Sequence, residues 1–435
     1  MKMTTMKMAL GSLAACLAFG AFAAGPEISG VMVRQRWPWS RLVDIDYVLT
    51  SADQQVDITV TGFNGTTPLS LPLFSLTGDL YGQSSGAHRI VWDPMATAYT
   101  NEGVLGKFRV SLTPTLAPLY MVVDLTLDPG AQGQITYVSE EDLTNGLWGA
   151  WVRNPVTNRG TVVESVVWTG VTTNDIYKTD KLVLRRVPAG SFQMGDTQTG
   201  IPNVTLTKGM YAGVFEVTQK QWNLVMGTTG GTDAQAKQNV SYYQIREDPA
   251  GSEGADDPAV DWPSNKAVNA ASFMGRLRAK TGIPDFDLPT AAQWEYLCRA
   301  KTTTVFNDGN ADAKYTGTEE DNNGDTNGYL NVLGWYKFSA PTPPPAAMLV
   351  GGKWPNAWGL YDTHGNVWEW CLDLWDGTFE TGTDPDGPST GTNRTFRGGG
   401  WDSVASKCLP TTRNGVSPTY KYDGGVGFRV VRTLP

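Results

Sequence analysis

Histidine is almost missing from this 435-residue chain, which carries only His88 and His364. An iron site of two histidines and a carboxylate would need both, drawn from different domains. No Gly-x-Ser-x-Gly elbow, phosphate loop or His-Glu-x-x-His pair occurs, so the enzyme chemistries those motifs carry have no footing here. Charged residues make up only 18% of the chain, without a Lys/Arg run, and the formal net charge is −9. Such a surface repels nucleic acid and anionic lipid, and no nucleic acid partner is expected. Beyond the N-terminus no stretch approaches 20 apolar residues, so no transmembrane helix is expected there. Cysteine is also scarce: past Cys16 only Cys298, Cys371 and Cys408 remain. In an oxidising compartment that odd count predicts one disulfide and one spare thiol.

What is abundant points to short strands and turns. The chain holds 49 Gly, 26 Pro and 16 Trp, favouring turns and aromatic packing over long helices. Its start reads as a leader: Lys2 and Lys7 precede an apolar run ending in Ala21-Phe22-Ala23-Ala24-Gly25. Residues 1–24 are therefore expected to be a signal peptide, and the mature protein secreted or periplasmic. Leu13-Ala14-Ala15-Cys16 resembles a lipoprotein processing box, but the apolar run continues past Cys16, making lipid anchoring there the weaker reading.

Residues 27–128 alternate as half-buried strands do, as in Val43-Asp44-Ile45-Asp46-Tyr47-Val48-Leu49, with Gly, Pro, Asn and Asp between the runs. That spacing predicts an all-β sandwich of immunoglobulin-like type. His88 stands alone within it and is read as a surface or packing residue. Residues 129–180 are read as a linker with some strand, and 181–435 as a second, α+β domain. Three helices are expected in the latter, at 218–226, 268–280 and from Thr290 to Ala300, the last opened by a Thr290/Gln293 capping box.

Five stretches in fixed order distinguish that second domain. They are Val187-Pro188-Ala189-Gly190-Ser191-Phe192-Gln193-Met194-Gly195, Phe215-Glu216-Val217-Thr218, Leu288-Pro289-Thr290-Ala291-Ala292-Gln293-Trp294-Glu295-Tyr296, Asn356 to Trp370 containing Gly365-Asn366-Val367-Trp368-Glu369-Trp370, and Arg397-Gly398-Gly399-Gly400-Trp401 to Gly427-Phe428-Arg429. Together they resemble the formylglycine-generating-enzyme (sulfatase-modifying factor) family, of C-type-lectin-like fold. The family's iron-dependent relatives use histidines from an added helical domain that has no counterpart here.

The resemblance implies a calcium site of Asp362, Glu369 and the carbonyls of Gly365 and Val367, all hard oxygen donors. Asn331-Val332 matches the start of a second calcium site, but Trp335-Tyr336-Lys337-Phe338 replaces its acidic loop. The Asp/Asn-rich stretch 319–325 lacks EF-hand order and reads as a solvated loop. The family's oxidase chemistry implies copper on two thiolates five residues apart, soft ligands for Cu(I). Here Ser403 stands at the first position and Cys408 at the second, so copper is not expected, and Cys408 is catalytic only if the oxidase alternative holds. Cys408 also suits the family's structural cysteine, which implies a Cys298–Cys408 disulfide with Cys371 as the spare thiol. The family's groove places Trp401, Asp402, Ser403, Lys407 and Arg413 as ligand-binding residues, and His364 reads as a turn residue near its rim. The expected function is non-catalytic binding of an extracytoplasmic peptide, protein or glycan; the alternative is oxidation of a substrate cysteine.

Overall fold

The computed structural model describes residues 25–36, 39–52, 56–69, 71, 75–96, 107–138, 151–158, 161–168, 174–195, 203–247, 262–307, 309, 330–339, 347–421 and 425–434. The leader with Cys16 and the acidic stretch 319–325 lie outside them. Two compact units divide at Thr115/Leu116. Sheet dominates both, with few helices, as the α+β reading requires.

In the first unit, strands Glu27–Gln35, Val43–Thr50, Gly86–Trp92 and Leu76–Gly78 form one sheet in that order, and Thr67–Leu69, Val56–Asn64 and Phe108–Leu116 a second. The period-two pattern acts as expected: Val43, Ile45, Tyr47 and Leu49 are buried, while Val48 and Thr50 are exposed. Val56 and Ile58 of the second sheet join them, with Ile90 and Trp92, in one hydrophobic cluster. Trp92 stacks on Phe108 at 4.5 Å between ring centres.

The unit boundary falls earlier than the expected end at residue 128. Strand Tyr120–Asp124 pairs antiparallel with Lys181–Arg185 and so belongs to the second unit. Its unbroken run Tyr120-Met121-Val122-Val123 is buried on both faces, as suits a strand interior to a sheet. Within 129–180, Ile135–Val138 extends that sheet, and Trp151–Asn158 pairs with Thr161–Trp168 as an antiparallel hairpin.

The second unit holds a six-stranded sheet ordered Phe286–Asp287, Val431–Thr433, Met210–Gly213, Lys181–Val187, Tyr120–Asp124 and Ile135–Val138. A four-stranded sheet follows the order Arg413–Val416, Arg394–Arg397, Trp368–Leu374 and Val426–Gly427. Its helices are α1 (Gln219–Met226), α2 (Tyr242–Arg246), α3 (Phe273–Thr281), α4 (Ala291–Arg299) and α5 (Leu330–Leu333). Capping boxes open α1 at Thr218/Gln221 and α4 at Thr290/Gln293, and Gly227 ends α1 at φ +72°. Helix α3 starts later than the expected residue 268. Asn269 Oδ1 takes the Ala271 N–H and Ser272 Oγ takes the Gly275 N–H, so residues 269–272 form the cap and not the first turn. Gly275 allows this fold-back, since a Cβ there would lie 2.1 Å from Asn269 O. Among the described residues no helix is long and apolar enough to cross a membrane.

Candidate functional site

Two glycine turns lock together at the centre of the second unit. Gly398 and Gly399 adopt φ of +95° and +76°, and a Cβ on Gly399 would lie 2.6 Å from the Cys408 sulfur. Gly365 N donates to Gly398 O at 2.7 Å, and Trp401 N to Asn366 O at 2.8 Å, tying this turn to the one that precedes strand Trp368–Leu374. Trp368 and Trp370 both meet Phe396, at 4.8 and 5.6 Å, so they share one side of the strand. Glu369 points the other way.

Glu369 is held by three donors. Arg429 reaches it in a fork, Nη2 to Oε1 at 2.6 Å and Nε to Oε2 at 2.8 Å, and Trp294 Nε1 donates to Oε2 at 2.8 Å. All three side chains are buried. Arg429 spends its remaining donors on Gly213 O and Tyr361 O. Glu216, also buried, accepts from Val367 N at 3.0 Å and Asn366 Nδ2 at 2.5 Å. Burial, then the charges of Asp362 and Glu369, raise the Glu216 carboxyl well above its ordinary range. Asp362, at φ +57°, takes the Gly351 N–H on Oδ2 at 2.6 Å, and its Oδ1 has no hydrogen-bond partner. Burial lifts its pKa to about 6.

This arrangement does not suit the calcium site implied by Asp362, Gly365, Val367 and Glu369. Asp362 Oδ1 remains open, but both Glu369 oxygens already face the Arg429 guanidinium, Oε2 also the Trp294 N–H, and a guanidinium this close repels a second cation. Among the described residues no three or more His, Cys, Asp or Glu side chains are grouped to hold a metal ion. At the start of the second implied site, Asn331 O accepts from Lys353 Nζ at 2.6 Å, and Lys353 lies 4.0 Å over the Trp335 ring. The Lys353 ammonium thus occupies the Asn331 carbonyl. Glu216 and Arg429 are the members of the cluster that local pattern did not single out, although both stand within the quoted stretches.

The expected Cys298–Cys408 disulfide is not formed. Cys298, Cys371 and Cys408 are buried free thiols. Cys298 Sγ donates to Thr363 O at 3.4 Å and Cys408 Sγ to Val404 O at 3.9 Å, so each sulfur is directed at a carbonyl. Burial pushes the Cys298 thiol up to about 12 and raises Cys371 and Cys408 as well, leaving all three protonated. Ser403, at the place of the first copper thiolate, is also turned inward: its Oγ accepts the Gly400 N–H at 2.9 Å. His364 is buried, not at a rim. Its Nδ1 lies 2.7 Å from Cys408 O and its Nε2 accepts from Asn307 N at 3.3 Å, a pairing that fixes a neutral ring protonated on Nδ1. Burial lowers its pKa to about 4.

Of the five expected ligand-binding residues, two are committed internally. Ser403 closes its own turn. Arg413 is clamped over Phe379 at 4.0 Å and Trp375 at 5.2 Å, with Glu380 3.5 Å from Nη1. Trp401 is half-buried, with Nε1 on Gln238 Oε1 at 3.3 Å; Asp402 is half-buried and Lys407 exposed.

Residues 172–434 match the model of the sulfatase-modifying factor enzyme 1-like domain, abbreviated FGE-sulfatase. The chain is similar to the chaperone protein LppX of Paenibacillus barcinonensis, 30% identical over 285 residues that cover 58% of this chain and 90% of that one. It is similar to the formylglycine-generating enzyme of Streptomyces coelicolor, 33% identical over 192 residues, 41% of this chain and 55% of the enzyme. The chain thus spans about half the length of that enzyme. Among solved structures, PvdO from Pseudomonas aeruginosa aligns with a TM-score of 0.43 at 20% identity, over 58% of this chain and 95% of PvdO. The match extends over more than half the chain, and the framework turns it depends on are formed, so this chain belongs to the sulfatase-modifying factor enzyme 1-like domain family.

Proposed function

We propose that this chain is an exported, non-catalytic member of its family, binding a peptide, protein or glycan through its C-type-lectin-like second unit. The first unit serves as an immunoglobulin-like spacer or additional binding module; two sheets around one apolar cluster support that reading. Export rests on the sequence of residues 1–24. The observation that carries the non-catalytic reading is the pair Ser403 and Cys408. The first is a hydroxyl closed onto Gly400 N, and the second a fully buried, protonated thiol. Two accessible thiolates are what a Cu(I) oxidase needs, and this geometry offers neither. Trp401, half-buried, and Lys407, exposed, lie on the 401–407 stretch where a ligand can reach them.

The test is to incubate the full chain with Cu(I), oxygen and a cysteine-containing sulfatase-type peptide, and to follow aldehyde formation by mass spectrometry. No turnover above a protein-free control is expected. Turnover that Cys408→Ala abolishes would establish the oxidase alternative instead.

A further inference from the structure

The first unit presents an aromatic side chain where a folded protein seldom leaves one. Trp39, between strands Glu27–Gln35 and Val43–Thr50, is 90% exposed. It borders a cleft of about 640 Å³ lined by Arg34, Gln35, Arg36, Ser40, Asp44 and Arg89. That size lies within the range of small-ligand sites, roughly 300–1,000 Å³.

The charges in the cleft are arranged asymmetrically. Asp44 Oδ1 takes Nε and Nη2 of Arg36 at 3.0 and 2.7 Å. Asp46, next along the same sheet face, takes Arg34 at 2.7 Å and Arg89 at 2.5 Å. The carboxylates are the covered partners, their side chains 10% and 17% exposed, whereas Arg34, Arg36 and Arg89 are 59%, 41% and 49% exposed. Solvent therefore meets guanidinium and not carboxylate. The aspartates hold the three guanidiniums in place, which lowers the entropy lost when they engage an anion. Ser40, half-buried on the cleft wall, has an Oγ without a hydrogen-bond partner.

We propose that this cleft is a binding site for carboxylated saccharides, with a sugar ring lying on the Trp39 face and its carboxylates on Arg34, Arg36 and Arg89. Single-stranded nucleic acid shares the demand for an aromatic face and cations. Among the described residues the cleft is lined by one aromatic, Trp39, where successive stacked bases call for several, which favours the saccharide. The site lies in the first unit and does not depend on the ligand assigned to the second.

Native affinity electrophoresis of the full chain in gels containing polygalacturonate, with neutral dextran and poly-dT gels alongside, tests this. Retardation by polygalacturonate alone is expected. Trp39→Ala should weaken it about tenfold, Trp39→Phe should restore most of it, and Arg34→Gln/Arg36→Gln should weaken it similarly while flattening its salt dependence. Because Trp39 is so exposed, Trp39→Ala should keep the wild-type urea midpoint. Unretarded migration in polygalacturonate, retardation indifferent to Trp39→Ala, or stronger retardation by poly-dT would each overturn the assignment.

Discussion

The Glu369–Arg429 pair allows a prediction that separates an ion-pair core from a calcium site. Glu369→Gln removes the charge and keeps the shape, leaving the buried Arg429 guanidinium without its paired carboxylate, on the Gly213 and Tyr361 carbonyls and near the Glu216 and Asp362 carboxyls. Arg429→Met leaves Glu369 buried with the Trp294 N–H alone. Breaking a buried pair from one side costs about 3–5 kcal/mol, so each single variant should lose that much. The double variant Glu369→Gln/Arg429→Met buries no orphan charge and should cost at least about 2 kcal/mol less than the sum of the singles. Urea denaturation of the second unit's transition, with 1 mM calcium or with chelator, reads all four proteins. The midpoint should be indifferent to calcium. Additive singles, or a calcium-dependent midpoint that Glu369→Gln abolishes, would refute the reasoning.

Two further outcomes follow from buried groups. His364 has a folded pKa of about 4 against 6.5 when unfolded, so the folded state binds fewer protons between those values and stability is lost as pH falls from 6.5 toward 4. At about 1.36 kcal/mol per unit the loss is about 3 kcal/mol by pH 4, and wild type minus His364→Gln should show it in denaturation curves taken from pH 7.5 to 4. Taking that difference matters because Asp362, raised to about 6, acts with the opposite sign: it favours the folded state below that pH. Cys298, Cys371 and Cys408, all buried thiols, should resist an aromatic disulfide reagent in the native protein and all three should react in denaturant.

Local signals in the sequence were enough for some elements and not for others. The boxes at Thr218/Gln221 and Thr290/Gln293 act within four residues, and α1 and α4 lie where those pairs place them. Ser241/Gln244 is the same device, but α2 is too short for an apolar period to reveal it. The extended run around Trp368–Trp370 was legible from its alternation. What Glu369 meets was not, because Arg429 lies 60 residues downstream and Trp294 75 residues upstream. Nor does spacing say whether Cys298 and Cys408 bond; that depends on how the fold brings and orients their Cβ–Sγ groups. The family framework is thus local and readable, while the partners of its buried side chains lie far along the chain.

The place of strand Val431–Thr433 bears on how this protein is made. It lies inside the six-stranded sheet, between Phe286–Asp287 and Met210–Gly213, and Arg429 just before it neutralises Glu369. A nascent chain emerging from a ribosome or a translocation channel cannot complete this sheet until residue 433 is free. The second unit therefore completes its sheet only once this strand has been delivered, holding its apolar strands apart in the meantime. Truncation before Arg429 would remove an interior strand together with a buried counter-charge, and would be read out as a failure to fold.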